Sequence, residues 1–142
     1  MSSENNEAFA RRRRILVVED HDDTRKLILA TLKLRDLEIE DVGDSDAGLA
    51  AFVRFKPDVV LLDVMMPGKW DGVGLCREIR GLAGHSVKIA FVTAKGQDVD
   101  MANGRHARAD AYIVKPFSPL KFLETVDWLL NLPKATPQVR GV

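Results

Sequence analysis

The stretch Val59-Val60-Leu61-Leu62-Asp63 runs through four large apolar residues, two of them β-branched, into a carboxylate. An almost uninterrupted apolar run of this length is typical of a strand in a parallel sheet that helices cover on both faces. The runs Ile15–Val18 and Ile89–Val92 have the same character. These three stretches therefore predict the central strands of a parallel sheet.

Two further stretches have weaker strand patterns. Leu37–Val42 mixes apolar with acidic residues and Ala111–Val114 is short, so both are predicted as edge strands. Amphipathic stretches separate the five strands, and this alternation is the pattern of repeated βα units. We predict the α/β class, with a five-stranded parallel sheet and five helices packed on both of its faces.

The predicted helices begin where a capping side chain precedes an amphipathic stretch. Their starts, in chain order, are Asp22 or Asp23, Asp44 or Ser45, Asp71-Gly72, Asp98, and Ser118-Pro119. The third helix is predicted to end at Ile79, and the fourth, weakened by Gly104, at about Arg108.

Composition excludes several classes of protein. The chain has 142 residues with 21 basic and 21 acidic side chains, so its formal net charge is zero. Such a balance gives no overall field that would attract nucleic acid or an anionic membrane. The single cysteine, Cys76, cannot form an internal disulfide, and no apolar stretch reaches the ~18 residues of a membrane helix. We expect one folded domain in the cytoplasm.

The two ends of the chain differ in composition from its middle. Residues 1–13 are polar and basic and are predicted as a flexible tail, 14–132 as the folded domain, and 133–142 as a C-terminal tail. The run Arg11–Arg14 has two interpretations, a phosphate-binding arm and a solvated flank of the first strand, and we favour the flank.

Polar residues gather where the predicted strands end. Glu19 and Asp20 follow the first strand, Asp63 the third, Thr93 the fourth and Lys115 the fifth, and ligands of open α/β sheets bind at these ends. Carboxylates held close together take a proton or recruit a cation, and Mg²⁺ prefers such oxygen ligands. We predict a magnesium site at which Asp63 is a nucleophile for a phosphoryl group and Lys115 and Thr93 bind its oxygens.

The sequence resembles the receiver domain of two-component response regulators over about Arg14 to Leu132. The motifs that carry this resemblance are Ile15–Asp20, Leu61–Gly68, Val92–Ala94 and Tyr112–Phe117. It implies a flavodoxin-like receiver fold with strand order 2-1-3-4-5. Because the ten residues 133–142 cannot form an output domain, we expect a stand-alone receiver, with a fragment of a longer protein as the alternative.

The resemblance also implies roles for individual residues. Asp63 is the implied phosphoacceptor, Asp20 a direct Mg²⁺ ligand and Glu19 a ligand through water. Met65 would bind the ion through its backbone carbonyl oxygen. Tyr112 is the implied aromatic switch.

The implied function is a phosphorylation-dependent signalling switch. Asp63 would accept a phosphoryl group from a phosphohistidine on a histidine kinase or a histidine phosphotransfer protein. The charge of the phosphoryl group would attract the Thr93 hydroxyl and let Tyr112 turn inward. This movement would change the surface formed by the fourth helix, the fifth strand and the fifth helix, which a downstream protein target would recognise. A phosphorylation-dependent homodimer is left open, and neither a membrane nor nucleic acid is expected as a partner.

Beyond self-phosphorylation and autodephosphorylation, the chain is not expected to be an enzyme. A phosphatase of the haloacid dehalogenase class would need a second aspartate two positions after Asp63, where this chain has Met65. A pseudo-receiver that binds without phosphorylation is the other alternative. The three histidines lack the spacing of metal ligands, although His21, beside the acids, is expected to tune the site electrostatically.

Overall fold

The computed structural model describes residues 12–94, 108–131 and 140–141. Its strands are β1 (Arg13–Val18), β2 (Leu37–Val42), β3 (Val59–Asp63), β4 (Lys88–Ala94), β5 (Ala111–Lys115) and β6 (Arg140–Gly141). They form one parallel sheet in the order β2-β1-β3-β4-β5-β6. The five predicted strands and their order are confirmed. The two-residue β6 lies in the predicted C-terminal tail and adds to the β5 edge.

Four helices lie in the described residues. They are α1 (Asp22–Leu32), α2 (Ser45–Phe55), α3 (Gly72–Ala83) and α4 (Pro119–Asn131). The predicted fourth helix spans residues 98 to about 108, of which 98–107 lie outside the described residues. The helix labelled α4 here is therefore the predicted fifth one.

Alternate residues of the central strands face opposite sides of the sheet. In β1, Leu16 and Val18 join a core cluster with residues of α2 and α3, whereas Ile15 and Val17 join a second cluster with residues of α1 and α4. All four side chains are fully buried. Because both faces are covered, the strand needs an apolar residue at every position, which explains the uninterrupted runs in the sequence.

Most helix starts follow the predicted caps. The Asp44 side chain accepts a hydrogen bond from the Ala47 N–H (2.7 Å), and α4 begins at Pro119 with the Ser118 hydroxyl at its cap. The predicted caps of α1, Asp22 and Asp23, are wrong, because the N-cap is His21 and both acids lie in the first turn. There the acids complement the helix dipole instead of capping it.

Helix α3 continues four residues beyond its predicted end at Ile79. The last turn is held by the Arg80 guanidinium, which donates to the Gly84 carbonyl oxygen at 2.7 Å. Gly84 has a φ of +57°, a conformation that favours glycine and ends the helix there. The interaction that extends the helix is a buried side-chain contact, which the apolar pattern does not reveal.

The loop between β3 and α3 docks on the start of α2 through Ser45. The Ser45 N–H donates to the Pro67 carbonyl oxygen (3.1 Å), and its hydroxyl accepts from the Trp70 N–H (3.0 Å). Gly68 has a φ of +117°, and a Cβ placed there would lie 2.2 Å from the Ser45 hydroxyl oxygen. Trp70 itself is half-buried and packs against the core cluster of α2 and α3.

Replacing Gly68 by alanine is expected to lower the free energy of unfolding by about 1–3 kcal/mol, because both the backbone conformation and the contact with Ser45 reject a side chain. The measurement is the midpoint of chemical denaturation. Gly81→Ala is the matched control: Gly81 lies within α3 with open space at its Cβ position, so this variant should gain about 0.5–1 kcal/mol. Equal effects of the two substitutions would contradict the docking of the loop.

The arginine run lies along the amino ends of the strands. Three of its members form ion pairs with acids of the same chain: Arg12 with Asp36 at 3.0 Å, Arg13 with Asp58 at 3.5 Å and Arg14 with Glu38 at 2.7 Å. These contacts favour the flank over the phosphate-binding arm. Strand β1 begins at Arg13, one residue before the predicted domain boundary. Within the described residues no helix has the length and apolarity needed to span a membrane.

Candidate functional site

The carboxyl ends of β1, β3 and β5 bring together three of the predicted site segments. Asp63 is the last residue of β3 and pairs with Val92 of β4 in the parallel register. Val18, the last residue of β1, pairs with Leu62, so Glu19 and Asp20 leave the sheet level with Asp63. Parallel register thus places all three acids at one edge of the sheet.

Lys115 reaches into this group from the end of β5. Its ammonium nitrogen lies 2.7 Å from Glu19 Oε1 and 3.6 Å from Asp63 Oδ1, so the nearer partner is Glu19. Glu19 and Asp63 are almost fully buried, at 1% and 2% exposure. The peptide bond from Lys115 to Pro116 is cis. The buried carboxylates of Glu19 and Asp63 therefore share one cationic group, the Lys115 ammonium.

His21 closes the group from the solvent side. Its Nδ1 lies 3.1 Å from Asp20 Oδ1, 3.2 Å from Glu19 Oε2 and 3.8 Å from Asp63 Oδ2. The hydrogen bond to Glu19 and the charge of Asp20 raise the pKa of His21. The electrostatic interaction expected for His21 is thus present in the structure.

Two other predicted site residues lie near the acids in different ways. Met65 donates its backbone N–H to Asp63 Oδ1 at 3.3 Å. Thr93 is buried in β4, one position beyond the residue that pairs with Asp63, and its hydroxyl lies 3.5 Å from the Ala94 carbonyl oxygen. Thr93 is thus placed at the same edge of the sheet.

Tyr112 lies in the core rather than at the surface. Its side chain is 2% exposed, and its ring centroid lies 5.8 Å from that of Phe91. An inward turn on phosphorylation is the movement predicted from the sequence, whereas the ring already occupies the inward position here.

Burial controls the protonation of the acidic group. It raises the pKa of Asp63 to about 8, and hydrogen bonds with Glu19 and Asp20 add to the shift, while the charge of Lys115 opposes it. For Glu19, burial acts in the same direction, but hydrogen bonds with Asp63 and Lys115 prevail and lower its pKa. Without a metal ion, burial therefore favours a neutral Asp63 beside a charged Glu19.

The donor set fits a divalent cation. Glu19, Asp20, His21 and Asp63 each offer one ligand atom, and these atoms lie within 4.8 Å of one another. Asp20 Oδ1 and Asp63 Oδ2 are buried without a hydrogen-bond partner among the described residues, although the His21 ring is close to both. Oxygen atoms that are desolvated and unsatisfied in this way gain most from a hard cation such as Mg²⁺.

Residues 15–127 match the family model of the response regulator receiver domain. The chain belongs to this family. Receiver domains of two-component systems are signalling switches and generally not catalysts, and they bind Mg²⁺ at an acidic pocket of the kind described above. Membership therefore favours the switch over the haloacid-dehalogenase-type phosphatase.

Similar receivers occur in larger regulators. The DNA-binding response regulator MtrA of Mycolicibacterium smegmatis is 36% identical over 115 residues, which are 81% of this chain and 49% of MtrA. The transcriptional regulatory protein ResD of Bacillus subtilis is 37% identical over 123 residues, 87% of this chain and 50% of ResD. This receiver thus spans about half the length of these relatives, and its predicted stand-alone character stays a prediction.

Solved receiver structures share the fold. A putative response regulator from Chloroflexus aurantiacus superposes with a TM-score of 0.79 at 26% identity and covers 86% of this chain and 100% of its own. The activated N-terminal receiver domain of Klebsiella pneumoniae RstA, bound to BeF₃, gives 0.77 at 32% identity, over 84% of this chain and 100% of its own. The flavodoxin-like receiver fold predicted from the sequence is confirmed.

The predicted set of partners, which left out nucleic acid, is wrong. MtrA relatives that are 36–37% identical to this receiver are DNA-binding response regulators. The prediction relied on the zero net charge of 142 residues, about half the length of such a regulator. The charge of a receiver carries no information about the rest of a regulator, so it cannot exclude nucleic acid.

His21 was expected beside the acids but was not counted among the possible metal ligands. The three histidines were excluded as metal ligands because of the spacing between them, whereas in this site the other possible ligands of a metal are carboxylates. The available signal was the tripeptide Glu19-Asp20-His21 directly after a central strand. His21 follows these two acids directly and is the N-cap of α1, so it lies beside them.

Proposed function

We propose that this receiver is a phosphorylation-dependent switch that accepts a phosphoryl group on Asp63 from a phosphohistidine donor. Mg²⁺ would be bound directly by Asp20, by Asp63 and by the Met65 backbone carbonyl oxygen. Glu19 would bind the ion through water. The observation that supports this proposal is the position of Asp63: a buried carboxylate at the sheet edge, with Oδ1 at 3.6 Å from the Lys115 ammonium and Oδ2 without a hydrogen-bond partner in the described part of the chain. A cytoplasmic location is part of this proposal.

Each residue then has a defined task in the transfer. An Asp63 oxygen forms a bond to phosphorus while the bond from phosphorus to the donor nitrogen breaks, and the leaving imidazole takes up a proton. Lys115 turns from Glu19 toward an oxygen of the transferred group, and the Thr93 hydroxyl donates to another. When bound, Mg²⁺ neutralises negative charge on Asp63 and on the incoming group together.

Phosphorylation changes the surface formed by β5 and the elements next to it. Phosphorylation adds about −1.5 to −2 charges next to Thr93, which lies one strand away from Tyr112. Because the Tyr112 ring is already buried, we propose that phosphorylation stabilises this inward position and thereby the surface of β5, α4 and the predicted helix at residues 98–108. The MtrA relatives are DNA-binding response regulators, which supports an output that acts on nucleic acid. The segment that binds nucleic acid would belong either to the same protein or to a partner.

The test is incubation with acetyl phosphate or phosphoramidate, read by intact mass. With Mg²⁺ the protein is expected to gain ~80 Da, the mass of one phosphoryl group, and with EDTA no gain is expected. Absence of the adduct under both conditions would favour the pseudo-receiver. Brisk hydrolysis of p-nitrophenyl phosphate would instead support the phosphatase.

A further inference from the structure

His21 brings a nitrogen donor into a group that is otherwise made of oxygen donors. Its Nδ1 lies 3.1 Å from Asp20 Oδ1 and 3.2 Å from Glu19 Oε2. The third neighbour, Asp63 Oδ2, is 3.8 Å away, belongs to a side chain that is 2% exposed, and has no hydrogen-bond partner among the described residues. The imidazole therefore faces both buried carboxylate oxygens of the site that lack a hydrogen-bond partner among the described residues.

The contact between His21 Nδ1 and Glu19 Oε2 is a hydrogen bond in the structure, and its length is also that between two ligands of one ion. Donor atoms at about 2.0–2.1 Å from a metal stand about 3.0 Å apart at neighbouring corners of an octahedron and about 3.4 Å apart in a tetrahedron. Two of the three distances from His21 Nδ1 to carboxylate oxygens, 3.1 and 3.2 Å, fall in this range, and the third, 3.8 Å, exceeds it by a few tenths of an ångström. Small side-chain movements would let the four residues converge on one ion.

The His21 ring hydrogen-bonds to Glu19, and coordination of a metal ion would replace this bond. His21 is the N-cap of α1, yet its side chain makes no capping hydrogen bond, and the side chain is 64% exposed. Its backbone N–H donates to Glu19 Oε2 at 3.2 Å, which fixes the main chain next to the acids. The ring can therefore turn onto an ion without loss of a helix cap or of core packing.

We propose that His21 is a direct ligand at this site and gives the receiver a preference for Zn²⁺ over Mg²⁺. Mg²⁺ prefers oxygen ligands in octahedral geometry and dehydrates reluctantly, whereas an imidazole nitrogen suits Zn²⁺ and other late transition ions. Bound Zn²⁺ would occupy carboxylates that Mg²⁺ needs. The availability of Zn²⁺ would then limit the fraction of receivers that can be phosphorylated. The inference uses the metal site of the proposed function but does not depend on phosphoryl transfer.

The experiment is titration calorimetry of the metal-free protein with ZnCl₂ and with MgCl₂. Wild type is expected to bind Zn²⁺ at least about tenfold more tightly than Mg²⁺. His21→Ala should weaken Zn²⁺ binding about tenfold or more and change Mg²⁺ binding by less than about threefold. His21→Asn keeps a polar side chain at the cap and should lose the Zn²⁺ preference to the same extent. The visible absorption spectrum of bound Co²⁺ should also change when the nitrogen ligand is removed.

His85→Asn is the matched control, because it removes a histidine before β4, at the opposite edge of the sheet, and should leave both affinities unchanged. The inference is overturned if His21→Ala and His85→Asn weaken Zn²⁺ binding equally, if Mg²⁺ binding falls in parallel, or if wild type does not prefer Zn²⁺. Phosphorylation with Mg²⁺ is expected in wild type and in His85→Asn. Its loss in wild type would instead contradict the proposed function, so the two failures are distinguishable.

Discussion

The Asp63→Asn variant is expected to gain no phosphoryl mass from acetyl phosphate and, without metal, to unfold at a higher temperature than wild type at about pH 9. The first effect is complete, because the amide nitrogen and oxygen of asparagine cannot replace the carboxylate nucleophile. The second arises because asparagine removes a buried charge but keeps the shape of the side chain and can donate a hydrogen bond to Glu19, as the protonated carboxyl does.

The sign of the stability effect follows from the pKa of Asp63, which is raised from 3.8 to about 8 on folding. Between these values the folded state holds a proton that the unfolded state has released, so the stability of wild type falls as pH rises through this window. Asparagine does not titrate, so the advantage of the variant grows up to about pH 8 and is then constant. At about 1.4 kcal/mol per pKa unit, the difference between 3.8 and about 8 sets an upper bound of about 6 kcal/mol. Because the ionised Asp63 of wild type is stabilised by Lys115 and by relaxation of the site, we expect a gain of about 1–3 kcal/mol, or several degrees.

Thermal unfolding followed by circular dichroism between about pH 5 and 9 measures this gain. Asp71→Asn is the matched control, because Asp71 is an exposed cap of α3, a position where asparagine serves equally well. Mg²⁺ should raise the unfolding temperature of wild type more than that of Asp63→Asn, since the ion stabilises only a state that binds it. Parallel stability curves for wild type and Asp63→Asn across this pH range would contradict a buried, protonated Asp63.

Much of the fold is encoded in patterns that a single strand or helix carries by itself. The runs at Ile15–Val18 and Val59–Leu62 predict central strands because each residue there contacts one of two core layers. Strand β6 has no such signal: Arg140 and Gly141 pair with β5 through the backbone, which any sequence can do. The end of α3 also escaped prediction, because the contact that holds it comes from the side chain of Arg80.

The sequence predicts which residues meet at the site, but it does not predict the distances between their side chains. Parallel strands end at one edge, so the meeting of Glu19, Asp20 and Asp63 follows from their places in the sequence. Which acid Lys115 contacts more closely depends on a difference of 0.9 Å between two distances, 2.7 and 3.6 Å. The direction of the His21 ring depends on a rotamer at the start of α1. Neither quantity has a counterpart in residue spacing.

Arg80→Met is expected to lower the free energy of unfolding by about 3–5 kcal/mol, because it breaks a buried ion pair and leaves an unpaired charge. The Arg80 guanidinium lies 2.6 Å from Asp110 Oδ2, and the two side chains are 5% and 1% exposed. It also donates to the carbonyl oxygens of Arg108, Gly84 and Val87. One side chain thus joins the end of α3 to the segments that enter β4 and β5.

Urea denaturation of matched variants separates burial from charge. Arg54→Met removes an equally well-formed pair with Glu40, but Arg54 is 66% exposed, so this loss should be below about 1 kcal/mol. Arg80→Lys keeps the charge but cannot reproduce the planar fork of donors, so it should fall between wild type and Arg80→Met. The double variant Arg80→Met/Asp110→Leu should lose less than the sum of the single losses, because no charge is left buried alone. Similar losses for Arg80→Met and Arg54→Met would show that the buried pair does not clamp the end of α3 to β5.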